Sequence, residues 1–387
     1  MLAVLLGTTA LAIGADLVLK APCVKPGAWA DNFQYKRLCY NDLQALYYAR
    51  GLSDDRVPYI EEPNEYPALT GTEMYITALL ARSEVSFFWW NALVLGACAL
   101  LTTAALWAAG KTWRVLLFAA SPALVLYATH NWDLMAVAGV AGGFSLWGRK
   151  RLAGSGALFG LATAAKLFPA AALFTGVVAL LAARKRRETA IFAAGFAVAW
   201  AAFNVPYMVA RFSGWFQTWT FHAKRGPDFG TPWYWIGRRY GDPTSEGLRH
   251  LVDRGGLVVM AVVALVVLWL QVRRGLPMVP ATGVLVAAFL VVSKVHSPQY
   301  ALWLLPFFVL VPRSLPYWAV YAVVDLALFV SGFRWIADPR FNGGYGSSGW
   351  QKVFTVSVFA RAIVLIAAGV HFALQREVGR LEVAIRR

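Results

Sequence analysis

Apolar runs long enough to cross a membrane recur along the whole sequence, and they limit the folds open to it. A transmembrane helix needs about 20 mostly apolar residues, or fewer where neighbouring protein covers its ends. Hydrophobic residues make up 59% of the chain and charged residues only 14%, which excludes a water-soluble domain. We therefore predict an all-α polytopic membrane protein of about 12 transmembrane helices, forming a single domain over residues 1–387. The runs begin near Leu2, Val85, Val115, Asp133, Gly154, Pro169, Thr189, Gly255, Leu276, Tyr300, Pro316 and Val353.

Lysine and arginine are concentrated at every second junction between these runs. Short loops rich in these residues stay on the cytoplasmic side of a membrane, so we expect both termini to be cytoplasmic. The formal net charge of +16 then reflects topology and attraction to membrane lipid. No nucleic-acid partner is expected, because no basic patch lies in a known binding fold. The basic junctions are Lys111 with Arg114, residues 149–151, residues 184–187, Arg273 with Arg274, Arg313, and the tail over residues 376–387.

The remaining junctions combine carboxylates, cations, histidines and aromatic residues at the opposite membrane face. Ionisable groups at membrane depth are costly and normally face a protein-lined or watery cavity. We therefore expect a half-buried polar cavity on the exoplasmic side. These junctions contain Asp42, His130-Asn131-Trp132-Asp133, Lys166-Leu167-Phe168-Pro169, residues 294–300 and Gly332-Phe333-Arg334-Trp335.

Two long segments lie on this exoplasmic side, after the first and the seventh run. The first, residues 21–84, contains nine of the 20 acidic residues of the chain and two helix-like stretches, residues 42–50 and 69–80. The second, residues 209–253, is rich in Trp, Tyr and Arg, which suits either sugar stacking or anchoring in the lipid headgroup zone. We expect both to carry short interfacial helices that cover the cavity.

Side chains in the first segment allow more than one interpretation. Cys23 and Cys39 both belong to it, and an oxidising compartment permits a disulfide between them, although two free thiols fit the sequence equally well. The acidic cluster at residues 54–65 most resembles a solvated loop surface, because its spacing matches no metal-ligand motif. We therefore expect no metal site.

Several sequence elements together resemble a known enzyme family. They are Asp42 after the first run, Asn131-Trp132-Asp133, Ala165-Lys166-Leu167-Phe168-Pro169, and Ser297-Pro298-Gln299-Tyr300 followed by Leu302-Trp303-Leu304. The pattern is similar to polytopic glycosyltransferases of the GT-C superfamily. More narrowly, it resembles the actinobacterial polyprenyl-phosphate-mannose-dependent mannosyltransferases of glycosyltransferase family eighty-seven. The resemblance covers nearly the whole chain from Tyr40 onwards and implies a GT-C type bundle.

The resemblance implies transfer of a sugar, with mannose expected, from a polyprenyl-phosphate donor to a glycolipid or cell-wall polysaccharide acceptor. The reaction would occur at the exoplasmic face of a bacterial plasma membrane. It needs a base for the acceptor hydroxyl and cations for the departing phosphate. No cofactor is expected, because the lipid-phosphate sugar is a substrate. A single base without a paired nucleophile predicts inversion at the anomeric carbon.

The same resemblance makes Asp42 the catalytic base. His296 is expected to orient Asp42, contact phosphate or shuttle a proton. Lys166 is the expected cation for the donor phosphate, with Arg334 and Arg225 as further candidates. Residues expected to contact substrate are Asn131, Asp133, Gln299, Tyr300 and Trp233.

Structural roles compete with several of these assignments. An N-cap role is open for both Asp42 and Asp133. Lys166 has the alternative of extending to the membrane interface, and His296 that of a buried structural histidine. Asp16 lies inside an apolar run, where pairing with a neighbouring Lys or Arg is expected.

Two other functions are open to the sequence. An arabinofuranosyltransferase is one, because residues 65–71 suggest a subgroup distinct from the best-known mannosyltransferases. A lipid-linked sugar transporter or flippase is the other, although no internal repeat typical of transporters is present. A nucleotide-sugar donor is not expected, because the chain lacks a glycine-rich phosphate loop and an Asp-x-Asp motif.

Overall fold

Each of the twelve apolar runs forms helical structure. The computed structural model describes residues 1–344 and 346–375. Within these ranges six helices are long and apolar enough to cross a membrane, and six further apolar stretches have 10–17 residues. These residues contain no β-strand, only an isolated bridge between Pro58 and Glu62. The prediction of an all-α, multi-pass membrane protein is confirmed.

Seventeen α-helices and six short 3₁₀ turns make up this part of the chain. The α-helices are α1 (Leu2–Lys20), α2 (Phe33–Lys36), α3 (Asp42–Ala49), α4 (Ala68–Leu80), α5 (Glu84–Gly110), α6 (Leu116–Ala119), α7 (Pro122–Tyr127), α8 (Asp133–Gly148), α9 (Leu152–Ala165), α10 (Ala170–Ala182), α11 (Arg186–Lys224), α12 (Pro232–Tyr240), α13 (Glu246–Arg274), α14 (Met278–Val292), α15 (Ala301–Leu310), α16 (Leu315–Ile336) and α17 (Gly349–Ala373). The 3₁₀ turns are Ala21–Cys23, Ala30–Asn32, Leu52–Asp54, Trp113–Val115, Pro298–Tyr300 and Asn342–Gly344.

Short apolar helices near the site are covered by their neighbours. Every residue of α15 except Leu310 is buried, and α14 packs against α10, α13, α15 and α17. Because protein surrounds them, these helices lie in the bundle without reaching the length of a full span. The expectation that protein covers the short runs holds for both helices.

Two glycines allow α9 and α11 to approach each other closely. A β-carbon at Gly156 would lie 2.0 Å from the carbonyl oxygen of Phe192, and one at Gly160 would lie 2.3 Å from that of Phe196. Only a residue without a side chain fits at these positions. The contact fixes α9 against the long α11, and with it Lys166, which directly follows α9.

The segment between α1 and α5 contains α2, α3 and α4. A disulfide joins Cys23 to Cys39, which resolves the choice that the sequence leaves open. Both predicted helices are present, with bounds Asp42–Ala49 and Ala68–Leu80. The first segment is therefore an ordered structure that is tied to the end of α1.

The second long segment, predicted over residues 209–253 as a loop with short interfacial helices, contains the short helix α12 and also the ends of two long helices, α11 and α13. α11 continues through it to Lys224, with non-helical dihedral angles at Arg211 (φ −157°, ψ 86°). Beyond this kink the Thr218 hydroxyl donates to the carbonyl of Asn64 at 2.8 Å. The aromatic and basic residues after Arg211 thus form a helix that packs on the first segment, followed by α12 and the start of α13.

The helices place the basic and the mixed junctions at opposite ends of the bundle. α8 runs from Asp133 towards residues 149–151, and α9 returns from there to Lys166. α13 ends at the basic pair Arg273 and Arg274, and α14 returns towards residue 294. The alternation predicted from the charges is therefore present in the fold, whereas the basic tail over residues 376–387 lies outside the described residues.

Candidate active site

Asn41, the residue before Asp42, caps α3. Its side-chain oxygen accepts a hydrogen bond from the N–H of Gln44 at 2.9 Å, and its amide donates to the side-chain oxygen of Gln44 at 2.9 Å. An N-cap residue satisfies the free N–H groups of the first turn in this way. Asp42 occupies the first helical position and does not cap α3, so its carboxylate is available for other contacts.

Three hydrogen bonds hold Asp42. Its N–H donates to the carbonyl of His130 at 2.8 Å. The Tyr40 hydroxyl donates to Oδ1 at 2.8 Å, and the Asn131 amide donates to Oδ2 at 2.5 Å. Because a carboxylate offers about four acceptor positions, this half-buried group can still accept a proton or a hydrogen bond from a substrate.

Asn131 connects Asp42 to a buried ion pair. The Lys166 ammonium donates to the Asn131 side-chain oxygen at 3.0 Å and lies 3.3 Å from Oδ2 of Asp133. The other oxygen of Asp133 accepts from the indole N–H of Trp303 at 2.6 Å. Lys166 is buried over the ring of Tyr66, 4.4 Å from its centroid, and so does not extend to the interface. Asp133 acts here as an ion-pair partner, and this network joins α3, α8, α9 and α15.

Two cavities meet at Asp42. The larger has a volume of about 630 Å³ and the smaller about 240 Å³. Tyr40, Asp42, Ser297 and Gln299 line both. Of these four side chains, Asp42 carries the group that ionises most readily, and a carboxylate can accept a proton. The arrangement lets Asp42 accept a proton from a molecule in one cavity next to a molecule in the other.

Three cations line the larger cavity: Lys166, Arg225 and Lys294. Their charges are balanced by carboxylates at distances of 3.3, 3.5 and 2.8 Å, which belong respectively to Asp133, Asp228 and Asp253. Exposed apolar side chains, Leu167 and Phe221, line the same cavity. The larger cavity therefore combines groups that bind anions with a surface that suits a lipid chain.

The smaller cavity has aromatic walls and two polar side chains with unused hydrogen-bonding capacity. Tyr35, Phe229 and Phe333 contribute to its walls. His296 and Gln299 also line it, and neither Nε2 of His296 nor Oε1 of Gln299 has a hydrogen-bond partner among the described residues. Aromatic faces together with free polar groups are typical of a site that binds a hydroxylated ring.

Burial fixes the protonation state of His296. It holds the pKa of this imidazole well below its usual value, with the charge of Arg361 acting in the same direction. Nδ1 lies 3.2 Å from the carbonyl oxygen of Leu290. Since a carbonyl oxygen only accepts, Nδ1 carries the proton, and Nε2 of the neutral ring is an acceptor. His296 makes no hydrogen bond to Asp42 and does not orient it directly.

Burial also changes the pKa of Asp42. It raises the pKa of the carboxyl group, while the hydrogen bonds from Asn131 and Tyr40 and the charge of Lys166 act in the opposite direction. A base is more effective when its pKa lies closer to the operating pH. The surroundings of Asp42 therefore strengthen it as a base, and the same contacts keep its ionised form accessible.

Seven of the ten predicted site residues line the two cavities, and an eighth, Asp133, is ion-paired to one of them, Lys166. Tyr300 is among the seven and stacks on Trp303, with ring centroids 3.9 Å apart. Arg334 is exposed and lines a separate surface depression with Asp338. Trp233 belongs to α12 and lines neither cavity. No group of three or more His, Cys, Asp or Glu residues within residues 1–344 and 346–375 is arranged to hold a metal ion.

Two ionisable residues near the end of α1 contact segments that carry the site; the sequence predicted a cationic partner for Asp16 and assigned no role to Lys20. The fully buried Lys20 donates to the carbonyl of Tyr40 at 2.8 Å. One turn earlier, Asp16 accepts hydrogen bonds from the N–H and the hydroxyl of Thr129. The Asp16 carboxylate is thus hydrogen-bonded to a threonine from a distant segment, and it also attracts the charge of Lys20, a neighbouring cation of the kind that the sequence predicted. The spacing of four residues between Asp16 and Lys20 in an apolar run was the sequence signal that could have pointed to a role for both.

Comparisons with known proteins give a family for this chain. The profile of Glycosyltransferase family 87 matches residues 65–294, a range that includes Asn131 and Lys166 but not Asp42 or His296. No curated protein gives a significant match. Among solved structures, the chain is similar to ArnT from Cupriavidus metallidurans in the apo state, at 16% identity over 87% of this chain and 72% of that chain, with a TM-score of 0.44. It is also similar to ArnT from the same organism bound to undecaprenyl phosphate, at 14% identity over 98% of this chain and 77% of that chain, with a TM-score of 0.47.

Proposed function

Since this chain belongs to glycosyltransferase family 87, we propose that it transfers mannose from a polyprenyl-phosphate donor to a glycolipid or cell-wall polysaccharide. The observation that carries the proposal is the position of Asp42 between a cation-lined and an aromatic-lined cavity. We assign the reaction to the exoplasmic face of a bacterial plasma membrane. The basic junctions, which favour the cytoplasmic side, lie at the other end of the bundle and support this assignment.

The larger cavity is the proposed donor site. Its cations Lys166 and Arg225 would bind the donor phosphate, and Lys294, which was not among the predicted phosphate-binding residues, adds a third positive charge. Ammonium and guanidinium groups both form charge-assisted hydrogen bonds with phosphate oxygens. The polyprenyl chain would leave the cavity beside Leu167 and Phe221, whose exposed side chains offer an apolar surface.

The smaller cavity is the proposed acceptor site. A sugar ring would stack on its aromatic walls, and hydroxyl groups would supply the partners that Nε2 of His296 and Oε1 of Gln299 lack in the described structure. His296 would thus accept a hydrogen bond from the substrate. This role replaces the expected ones of orienting Asp42 or shuttling a proton, because His296 makes no hydrogen bond to Asp42 among the described contacts and its lowered pKa makes it a poor proton acceptor.

The proposed reaction is a single displacement. The acceptor hydroxyl gives its proton to Asp42 while its oxygen attacks the anomeric carbon of the donor. The bond from that carbon to the phosphate oxygen breaks, and polyprenyl phosphate leaves with the electron pair. Lys166 and Arg225 would stabilise the charge that develops on phosphate.

Inversion at the anomeric carbon follows from this scheme. The second carboxylate of the network, Asp133, is engaged by Lys166 and Trp303. This engagement argues against a nucleophilic role, so Asp42 alone is assigned to the reaction. Isolation of a glycosyl-enzyme intermediate would contradict the scheme.

Sugar transfer by purified protein tests the proposal. Labelled polyprenyl-phosphate mannose and a lipid extract are supplied to the wild type, to Asp42→Asn and to Asp54→Asn. Asp54 is an exposed carboxylate of the same segment and serves as the matched control. We expect label in a new glycolipid with the wild type and Asp54→Asn, and loss of transfer with Asp42→Asn.

Each other result changes the proposal in a specific way. Equal transfer by Asp42→Asn would remove this residue as the base. Absence of transfer by the wild type would exclude mannose with these acceptors, and the polyprenyl-phosphate arabinofuranose donor would then be supplied. Absence of transfer with both donors, combined with movement of the lipid-linked sugar across reconstituted vesicles, would favour a transporter.

A further inference from the structure

The buried ammonium group of Lys20 contacts Tyr40 and His130, two residues that are hydrogen-bonded to Asp42. Nζ of Lys20 donates to the carbonyl of Tyr40 at 2.8 Å and lies 3.4 Å from Nδ1 of His130. Tyr40 in turn donates its hydroxyl to the Asp42 carboxylate, and His130 accepts the Asp42 N–H. Lys20 is therefore connected to Asp42 through two intervening residues, Tyr40 and His130.

The protonation state of His130 makes the second contact a hydrogen bond. Burial holds the pKa of His130 well below its usual value, and the charge of Lys20 adds to this effect. The ring is therefore neutral. Since an ammonium group only donates, Nδ1 of His130 must be the acceptor. Lys20 thus donates to Tyr40 and to His130 at the same time.

The end of α1 is joined to this segment a second time through a covalent bond. Cys23 lies three residues after Lys20, and its disulfide partner Cys39 directly precedes Tyr40. The segment that carries Asp42 is therefore attached to α1 on both sides of Tyr40, by the disulfide before it and by the Lys20 ammonium at its carbonyl. The chain has little freedom to move between these points and the start of α3.

We infer that Lys20 is a positioning residue for Asp42, which holds the base where the two cavities meet and contributes a buried positive charge behind it. This role rests on the proposed function. Electrostatic attraction links Lys20 and Asp42, although no direct contact joins them in the described structure. The other ionisable groups that act on Asp42 are Tyr35, Tyr40, Tyr66, Lys166 and Asp133.

Two substitutions and a control test the role of Lys20. Lys20→Met removes the charge and both hydrogen bonds but keeps the length of the side chain. Lys20→Arg keeps the charge and the ability to donate. Lys25→Met removes an exposed lysine from the same segment and should change nothing. Monodispersity in detergent and an intact disulfide establish that each variant is folded.

Transfer kinetics provide the first readout. Because a displacement of about 1 Å in a reacting group costs roughly 100-fold in rate, we expect Lys20→Met to lower kcat by about 10- to 100-fold while the KM for the donor changes little. Lys20→Arg should recover part of this loss. The acid limb of the pH profile should move to higher pH in Lys20→Met, because removal of a nearby positive charge raises the pKa of Asp42. An unchanged kcat and pH profile in Lys20→Met would overturn the inference.

A second readout does not depend on sugar transfer. A carbodiimide with an amine nucleophile labels protonated carboxyl groups, so the labelling of Asp42 at a series of pH values, followed by peptide mass spectrometry, reports its titration. We expect the midpoint to rise in Lys20→Met and to stay at the wild-type pH in Lys25→Met. Equal midpoints in all proteins would refute the positioning role, even where the wild type transfers no mannose. A shifted midpoint in an inactive wild type would refute the proposed donor and leave the role of Lys20 supported.

Discussion

Glu73 should make the protein less stable as the pH rises. It lies on α4, is 9% exposed, and neither carboxylate oxygen has a hydrogen-bond partner among the described residues. Burial raises the pKa of this group from 4.5 to about 8, although the nearby Trp132 side chain acts to lower it. The folded protein therefore holds a proton at neutral pH that the unfolded chain has already lost.

The sign and the size of the effect follow from this difference. A carboxyl group with a raised pKa in the folded state contributes most to stability below pH 4.5, and the contribution falls as the pH rises through 4.5 and levels off above about 8. Each unit of pKa difference corresponds to about 1.36 kcal/mol. The difference of about 3.5 units, 8 minus 4.5, gives a loss of up to about 5 kcal/mol in the free energy of unfolding.

Thermal unfolding of wild type, Glu73→Gln and Glu61→Gln in detergent between pH 5 and pH 9 measures this effect. Glutamine resembles the neutral acid in size, so Glu73→Gln should match the wild type near pH 5 and unfold at a clearly higher temperature at pH 9. Glu61 is exposed, and its substitution should leave the wild-type pH dependence in place. A Glu73→Gln variant whose midpoint falls with pH as steeply as that of the wild type would refute the reasoning.

Three further predictions concern the site and its support. The rate of sugar transfer should fall on acidification at a pH above the ordinary range of an aspartate, because burial raises the pKa of Asp42 and only its ionised form is a base; a rate that is constant down to pH 4 would contradict this. Replacement of both Cys23 and Cys39 by Ser should lower the free energy of unfolding by about 3 kcal/mol for a loop of this size, and dithiothreitol should lower the melting temperature of the wild type but not of the variant. His296→Ala should raise the KM for the acceptor by about 3- to 10-fold, as expected for one lost hydrogen bond, without a change in the KM for the donor; an equal rise in both would argue against separate sites.

The sequence predicts which end of the bundle carries the site, because charge and span length determine the membrane face at which each junction lies. Asn131, Asp133 and Lys166 were expected together for this reason, and they form one network. The sequence does not determine how a helix is rotated about its axis, and neighbouring residues on a helix point about 100° apart. Arg334 therefore points outwards, while Phe333 beside it lines the smaller cavity.

Contacts between distant parts of the chain could not be predicted either, because no sequence motif marks the residues that make them. Tyr40 and Tyr66 belong to no recognisable motif, yet their hydroxyl groups bind Asp42 and Asn131. The extension of α11 past Arg211 was also missed, because aromatic and basic residues occur both in interfacial loops and in helices that pack on other protein segments. Only the packing of this helix on the first segment distinguishes the two.

The hydrogen bonds between Asp16 and Thr129 impose an order on the biosynthesis of the protein. Thr129 follows Asp16 by 113 positions, so α1 enters the membrane long before the partner of its carboxylate has been made. An ionised side chain near the centre of an inserted helix costs about 2.5–3.5 kcal/mol, and less near a helix end, where Asp16 is found. Lys20 in the same helix offsets part of this cost, and the hydrogen bonds from Thr129 become available only after α7 and the residues that follow it have been inserted. The helix α1 is therefore expected to reach its native position only after the helices up to α7 have been inserted.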